Sequence, residues 1–247
     1  MKSLAAAWTL LRALWHAVAG WLTIVFVFPR LSPPQRDARV QVWARQMLAV
    51  LGIDLRLHGT PPAGGPVLLV ANHISWLDIL VMHAARHCRF VSKSELRGWP
   101  LIGTLATGAG TLYIERASRR DAMRVVHQMA DSLKAGEVLA VFPEGTTSDG
   151  ISLLPFHANL IQAAVSAGAP VQPVALSFLD GRTGAPTLAP CYIGDDTLIG
   201  SIWRTLTTPG TVAVVRYGQP QQAQGRDRRV WAADLREAVA ALRGSAG

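Results

Sequence analysis

The strongest constraint on the fold is an alternation between short apolar runs and longer segments with helical spacing. "PVLLVAN" (66–72) reads as a buried strand and "SWLDILVMHAARH" as the helix after it. "RFVSK" and "GTLYIER" (110–116) read as two further strands. "SRRDAMRVVHQMADSLKAG" is an amphipathic helix: Ser118 starts it, Ala122, Val125, Met129 and Leu133 line one face, and Gly136 stops it. "EVLAVFPEG" is a strand entering a loop, and "HANLIQAAVSAG" is a helix ending at Gly168. "PVQPVALSFL" and "TVAVVRYG" are strands, and "RDRRVWAADLREAVAALR" closes the chain as a helix. Asp180 to Pro209 reads as loop. This alternation predicts an α/β domain whose sheet is largely buried by helices. The 247 residues suffice for one substantial core.

Upstream of the turn-rich joint "GTPPAGG" the chain changes character, which divides it into residues 1–58 and 59–247. From Ala13 to Phe28 it is almost unbroken apolar. As a helix that run reaches roughly 24 Å, short of a hydrocarbon core of roughly 30 Å unless the turn holding Arg12 is recruited. Trp8 and Trp15 share one helical face, as an interfacial anchor requires. Arg12 lies too late, and "FPRLSPPQR" lacks the small-residue site, for a signal peptide. An apolar core helix is the other reading. Pro29 to Pro34 interrupts the run. A second helix then follows, capped by Ser32, with Val40, Trp43, Ala44, Met47, Leu48 and Leu51 at helical spacing and Arg36, Arg39 and Arg45 largely off that stripe. The pair reads as a membrane-docking helical hairpin. Packing of the second helix on its own domain fits the same stripe equally well.

Composition narrows the partners. Half the residues are hydrophobic, only 16% are charged, and the formal net charge is +8. A basic, apolar protein suits an anionic surface, either membrane or nucleic acid. "RASRR" and "RDRR" are not interleaved with aromatic residues, so anionic lipid head groups account for the charge and no nucleic-acid partner is expected. Cys88 and Cys191 form no framework, which points to free thiols in a reducing compartment.

The polar clusters stand at strand ends, where open α/β sheets bind ligands. In "NHISWLD", His73 and Asp78 can meet if His73 lies in the turn and Asp78 in the first turn of the helix. Asp78 would then fix the imidazole tautomer and leave the other nitrogen as a base. No nucleophile stands beside them, since Ser75 is outside a G-x-S-x-G elbow. A base without a nucleophile implies direct activation of a substrate hydroxyl. The structural alternative is a capping box from Ser75 to Asp78, which need not exclude the first. In "VFPEGTTSDG", Gly145 permits close approach, and backbone N–H groups with Thr146, Thr147 and Ser148 could cradle an anion. A plain polar turn is the alternative. Arg116 could clamp a phosphate, or serve a surface ion pair with Glu115 or Asp121. His83 and His87, at i and i+4, could hold a metal. No further ligand is evident, so an ordinary helix end is expected.

These clusters resemble, in order and spacing, the four blocks of the glycerolipid acyltransferase family, which includes the lysophosphatidic acid acyltransferases. Asn72, His73 and Asp78 match the first block; Gly110, Ile114 and Arg116 the second; Phe142, Pro143, Glu144, Gly145 and Thr146 the third; and "VQPVAL" around Pro173 the fourth. The resemblance spans roughly residues 67 to 179. It implies a mixed, largely buried sheet flanked by helices, with the N-terminal hairpin on the membrane. It also implies transfer of a fatty acyl group from acyl-CoA or acyl carrier protein to a lysolipid hydroxyl at the cytoplasmic face of the inner membrane, with no metal and no cofactor. His73 would be the base and Asp78 its orienter. Arg116, Glu144 and Gly145, with the neighbouring Asn72, Ser75, Gly110, Phe142, Pro143, Thr146 and Thr147, would form the acceptor site, and Pro173 would line its apolar part. One position departs from the pattern. Many members that acylate lysophosphatidic acid carry Arg where this chain has Thr147. That weakens the case for a phosphomonoester acceptor and leaves room for another lysolipid, such as lyso-ornithine lipid. A non-enzymatic membrane protein would not need His73 or Asp78, and a hydrolase would release free fatty acid without an acceptor.

Overall fold

The structure is a computed structural model that describes residues 2–114 and 119–244. Its centre is a sheet of β1 (Asp54–His58), β2 (Val67–Ala71), β3 (Arg89–Lys93), β4 (Leu112–Ile114), β5 (Val138–Val141), β6 (Val171–Asp180) and β7 (Thr211–Tyr217). The spatial order is β1-β7-β6-β2-β5-β3-β4. Every adjacent pair is parallel except β6 with β7, so the sheet is mixed. β2 lies between β5 and β6 and is buried along its whole length. Its side chains alternate between two cores, as the two-residue period of a strand dictates. Leu69 and Ala71 join the core beneath α2 (Pro33–Leu51) and α3 (Leu77–Ala85). Leu68 and Val70 join the core beneath α5 (Arg119–Lys134), α6 (Gln162–Ala167) and α8 (Arg228–Gly244).

α1 (Lys2–Phe26) has 25 residues and is about 37 Å long. The expected shortfall against the bilayer therefore disappears, because the helix continues through Arg12 with that side chain on its exposed face. Its buried positions are small ones, Ala6, Ala13 and Gly20. A Cβ on Gly20 would come within 2.5 Å of the Trp43 indole, so only glycine permits this approach. The contact is locked by Trp43 Nε1 donating to the His16 carbonyl at 3.1 Å. Much of its remaining surface is exposed and apolar, with Leu4, Trp8, Leu11, Trp15 and Phe26 all more than half exposed. α1 packs on α2, α4 (Ile102–Gly108) and α7 (Leu198–Thr207).

α2 belongs to the domain rather than to a free hairpin. Its buried stripe is Val40, Ala44, Met47 and Leu48. Gln41 Nε2 donates to Ala85 O at 3.0 Å and Arg45 Nε to Ala84 O at 2.8 Å, satisfying carbonyls at the C-terminal end of α3. β1 precedes residue 59 yet pairs with β7, so the sheet begins ahead of the expected boundary. Two helices were not read from the sequence. In α4, Gly98, Pro100 and Gly103 disguise a helix that starts after Leu101, itself at φ 62°. In α7, the β-branched and glycine-containing "LIGSIWRTLT" has low intrinsic propensity and is held by tertiary contacts and by Thr197 capping Gly200 N at 3.1 Å. The predicted start of α5 at Ser118 lies outside the described residues.

Candidate active site

The candidate site is built outward from β2. Asn72, just past its last residue, is buried. Its Nδ2 donates to Leu176 O at 3.0 Å and its Oδ1 accepts from Leu176 N at 2.7 Å. That staple to β6 fixes the point from which His73 departs. Asp78 sits fully buried in the first turn of α3. Its Oδ2 accepts from Ile74 N at 2.6 Å, Ser75 N at 2.9 Å and His73 Nδ1 at 2.8 Å. The contacts of Asp78 to the backbone and to the imidazole therefore share one oxygen, while Asp78 N donates to Ser75 O and not to its Oγ, so only half of the expected capping box forms. An Nδ1–H donated to a carboxylate leaves Nε2 with its lone pair free. The His73 side chain is 21% exposed, and Nε2 has no hydrogen-bond partner among the described residues.

Aromatic packing fixes the ring from its face. His73 stacks on Phe142 with centroids 4.0 Å apart, and Phe142 on Phe90 at 5.5 Å. Glu144 fixes the backbone: Oε1 accepts from His73 N at 2.7 Å and Oε2 from Leu154 N at 2.9 Å. Burial pushes the Glu144 carboxyl above its ordinary range, opposed by those two N–H groups and by the charges of His73 and Arg243. Ser148 N donates to His73 O at 2.8 Å, so the loop after β5 holds His73 by both its N–H and its carbonyl. The segment Ala189–Tyr192 straps both loops from outside. Ser75 Oγ donates to Pro190 O, Thr147 Oγ to Tyr192 O, and Tyr192 N to Ile74 O at 3.2 Å. α7 holds the strap through Ser201 Oγ, which donates to Cys191 O at 3.0 Å and accepts from Trp76 Nε1 at 3.2 Å. Nothing in the sequence marked this strap, because loop-to-loop bonds carry no periodicity.

His73 faces a cleft of about 310 Å³. Its apolar wall includes Val91, Ile114, Val141, Phe142 and Leu160, and its polar lining includes Ser92, Lys93, Glu95 and Gly145. Gly145 has φ 73°, which favours glycine. A larger hollow of about 450 Å³ lies among Ile24, Phe28, Arg36 and Arg97. It contains neither His73 nor Asp78, so size does not mark the chemistry here. Several expected acceptor residues stand elsewhere. Asn72 and Ser75 are buried with their side chains bonded inside the protein. Pro143 is buried beside Glu144, and Thr146 is exposed on the loop. Gly110, at φ 80°, accepts from Arg89 Nε at 2.7 Å and does not line the cleft. Pro173 packs beside Gly218 and Leu242 of α8 and does not line the cleft. It is in register with Val70 and Val141, so it shares the cleft wall's face of the sheet but stands two strands away from it. Arg116 lies outside the described residues. His83 and His87 stack on each other at 5.1 Å, and His87 Nε2 pairs with Asp37 on α2 at 3.2 Å, as parts of the helix packing.

The His73–Asp78 pair thus opens onto a cleft whose wall is largely apolar. Comparison with known proteins names the class as O-acyltransferase. The family model described as Acyltransferase matches residues 54–177. A lyso-ornithine lipid O-acyltransferase of Pseudomonas aeruginosa is 38% identical over 228 residues, covering 92% of this chain and 87% of that protein. A 1-acyl-sn-glycerol-3-phosphate acyltransferase of Neisseria meningitidis serogroup B is 37% identical over 213 residues, covering 85% and 82%. The crystal structure of the 1-acyl-sn-glycerophosphate acyltransferase PlsC from Thermotoga maritima superposes with a TM-score of 0.68 at 22% identity over the whole of both chains, which shows a shared fold. The chain belongs to the Acyltransferase family.

Proposed function

We propose that the chain transfers a fatty acyl group from the thioester of coenzyme A or acyl carrier protein to the free hydroxyl of a lysolipid. The observation that carries this is the His73–Asp78 contact at 2.8 Å, with Nε2 left toward the cleft. Nε2 takes the hydroxyl proton as the oxygen attacks the thioester carbonyl carbon. The tetrahedral intermediate expels the thiolate, which takes the hydroxyl's proton from the imidazolium. The products are an ester and a free thiol, and no acyl-enzyme forms. Asp78 stabilises the imidazolium and holds its tautomer. Asn72, Ser75 and Glu144 act as positioning residues, and the apolar cleft wall accommodates acyl chain.

The reference acceptor is 1-acyl-sn-glycerol-3-phosphate, giving phosphatidic acid. Thr147 favours a second, lyso-ornithine lipid, because its hydroxyl is tied to the strap and offers no cation to a phosphate. The N-terminal helix supports work at a lipid surface. α1 is packed sideways on three helices, so its exposed face lies along one leaflet without dragging the domain across the bilayer. The surface is the cytoplasmic face, where acyl thioesters are made and where free Cys88 and Cys191 stay reduced. Anionic head groups there meet the net charge of +8. The test is incubation of purified protein with labelled acyl thioester, with and without lysolipid, followed by intact mass and lipid analysis. Label should reach lipid only when acceptor is present and never the protein; a stoichiometric acyl-protein competent for transfer would overturn direct attack.

A further inference from the structure

α7 is amphipathic in the reverse sense of a soluble helix, which turns its apolar stripe inward. Its buried residues are the small polar Ser201 and Thr205. They face the strap: Ser201 Oγ donates to Cys191 O at 3.0 Å and Thr205 Oγ1 to Ala189 O at 3.3 Å. Arg204 reinforces that side, with Nε donating to Ala189 O at 3.1 Å and Nη1 to Asp196 Oδ1 at 3.0 Å. The large apolar residues turn away from it. Leu198, Ile202 and Leu206 are half-buried, Ile199 is 78% exposed, and Trp203 is exposed one turn further along the same face. Leu188 and Ile193, which flank the strap, are exposed as well.

Continuity and chemistry together point to what covers this face. α7 packs on α1, and α1 is built in the same sense. It buries Ala6 and Ala13 and exposes Leu4, Trp8, Leu11 and Trp15. Two touching helices that each turn small residues inward and large apolar ones outward share one apolar surface. Trp203 adds an apolar ring with an N–H tip, the kind of side chain that settles at the level of lipid head groups, as Trp8 and Trp15 do on α1 in the same reading. We propose that Ile199 and Trp203, flanked by Leu188 and Ile193, form a second lipid-contacting element that enters the same leaflet as α1. The assignment rests on the reading above that α1 lies along one leaflet. It brings the lipid surface to the helix whose inner side holds the strap over Ser75 and Thr147, so membrane docking and site geometry meet in one element.

The test is flotation of the full chain with vesicles of phosphatidylethanolamine and phosphatidylglycerol. It compares the wild type with the paired substitutions Ile199→Ala with Trp203→Ala, Ile199→Glu with Trp203→Glu, and Trp8→Glu with Trp15→Glu. The alanine pair should weaken vesicle binding by about three- to tenfold and the glutamate pair on α7 by about tenfold or more. Acyl transfer to a short-chain lysolipid kept monomeric should stay within about twofold of wild type in the alanine pair, because the inner side of α7 is untouched. Vesicles with brominated acyl chains should quench the emission that Trp203→Phe removes. Wild-type vesicle affinity in both α7 pairs, with weakened binding in the α1 pair, would overturn the assignment and leave α1 on the leaflet. Unchanged binding in all three would overturn the leaflet reading and the assignment with it. A wild-type dimer that the α7 pairs dissociate without loss of vesicle binding would make the face a contact between copies of the chain and overturn the lipid assignment.

Discussion

Two imidazoles serve α3, one just before it and one inside it, and their surroundings make them opposites. His73 has a buried carboxylate on Nδ1, an aromatic face at 4.0 Å and an open cleft on its far side. His83 is buried, its Nδ1 has no hydrogen-bond partner, and its ring is edge-on to Phe90 at 5.1 Å. Burial, with a smaller contribution from His87, pushes the His83 pKa down to about 3. A histidine becomes a base when one nitrogen is fixed and the other meets substrate; without either it is a neutral core residue. The same division separates the two sides of the site. Behind His73, the side chains of Asn72, Ser75 and Glu144 and Asp78 Oδ2 are bonded within the protein, while its far side meets the cleft.

The largest effect should come from His73→Ala. Acyl transfer should fall by about 10³-fold or more, with the thermal midpoint unchanged. Asp78→Asn comes next, with kcat lower by about 10²- to 10⁴-fold and little change in the lysolipid KM. A loss under about tenfold would mean that Asp78 matters for tying down Ile74 and Ser75 more than for the imidazole. Glu144→Gln keeps the shape but accepts from only one of two buried N–H groups. It should cost about 1–3 kcal/mol in denaturant unfolding and lower kcat by about tenfold. The Glu144 carboxyl is raised above its ordinary 4.5, so wild-type stability should decline as pH rises from 4.5 through the native value. The Gln variant should lack that part of the decline. The smallest effect on rate should come from His83→Leu, within about twofold of wild type. Its signature is in acid stability. The native His83 pKa lies below the unfolded 6.5, so the wild type loses stability as pH falls from 6.5 toward about 3, and the variant should lose less.

How much of this was legible in the sequence follows the physics of each element. β2, β5, β6 and β7 were readable because continuous apolar runs bounded by turn residues leave little choice. α5 was readable because one stripe is apolar and the other charged. α4 and α7 were hidden because glycine, proline and β-branched residues argue locally against helices that tertiary packing stabilises. The stripe of α2 was visible, but not which surface it covers; Gln41, Arg45 and Asp37 decide that by bonding to α3 and His87. At the site, His73, Asp78 and Glu144 were visible as polar groups at strand ends. The distance of Pro173 from the cleft depends on strand order, which sets β2 between β6 and β5, and the 189–192 strap depends on contacts more than forty residues away in the chain, such as Thr147 to Tyr192.

The most direct test is the initial rate of acyl transfer to lysolipid, measured for wild type, His73→Ala and His83→Leu in the same mixed micelles. The expected result is loss of transfer in the first variant and near-wild-type transfer in the second. Retention of transfer by His73→Ala, in protein that unfolds like the wild type, would contradict the assignment of His73 as the base.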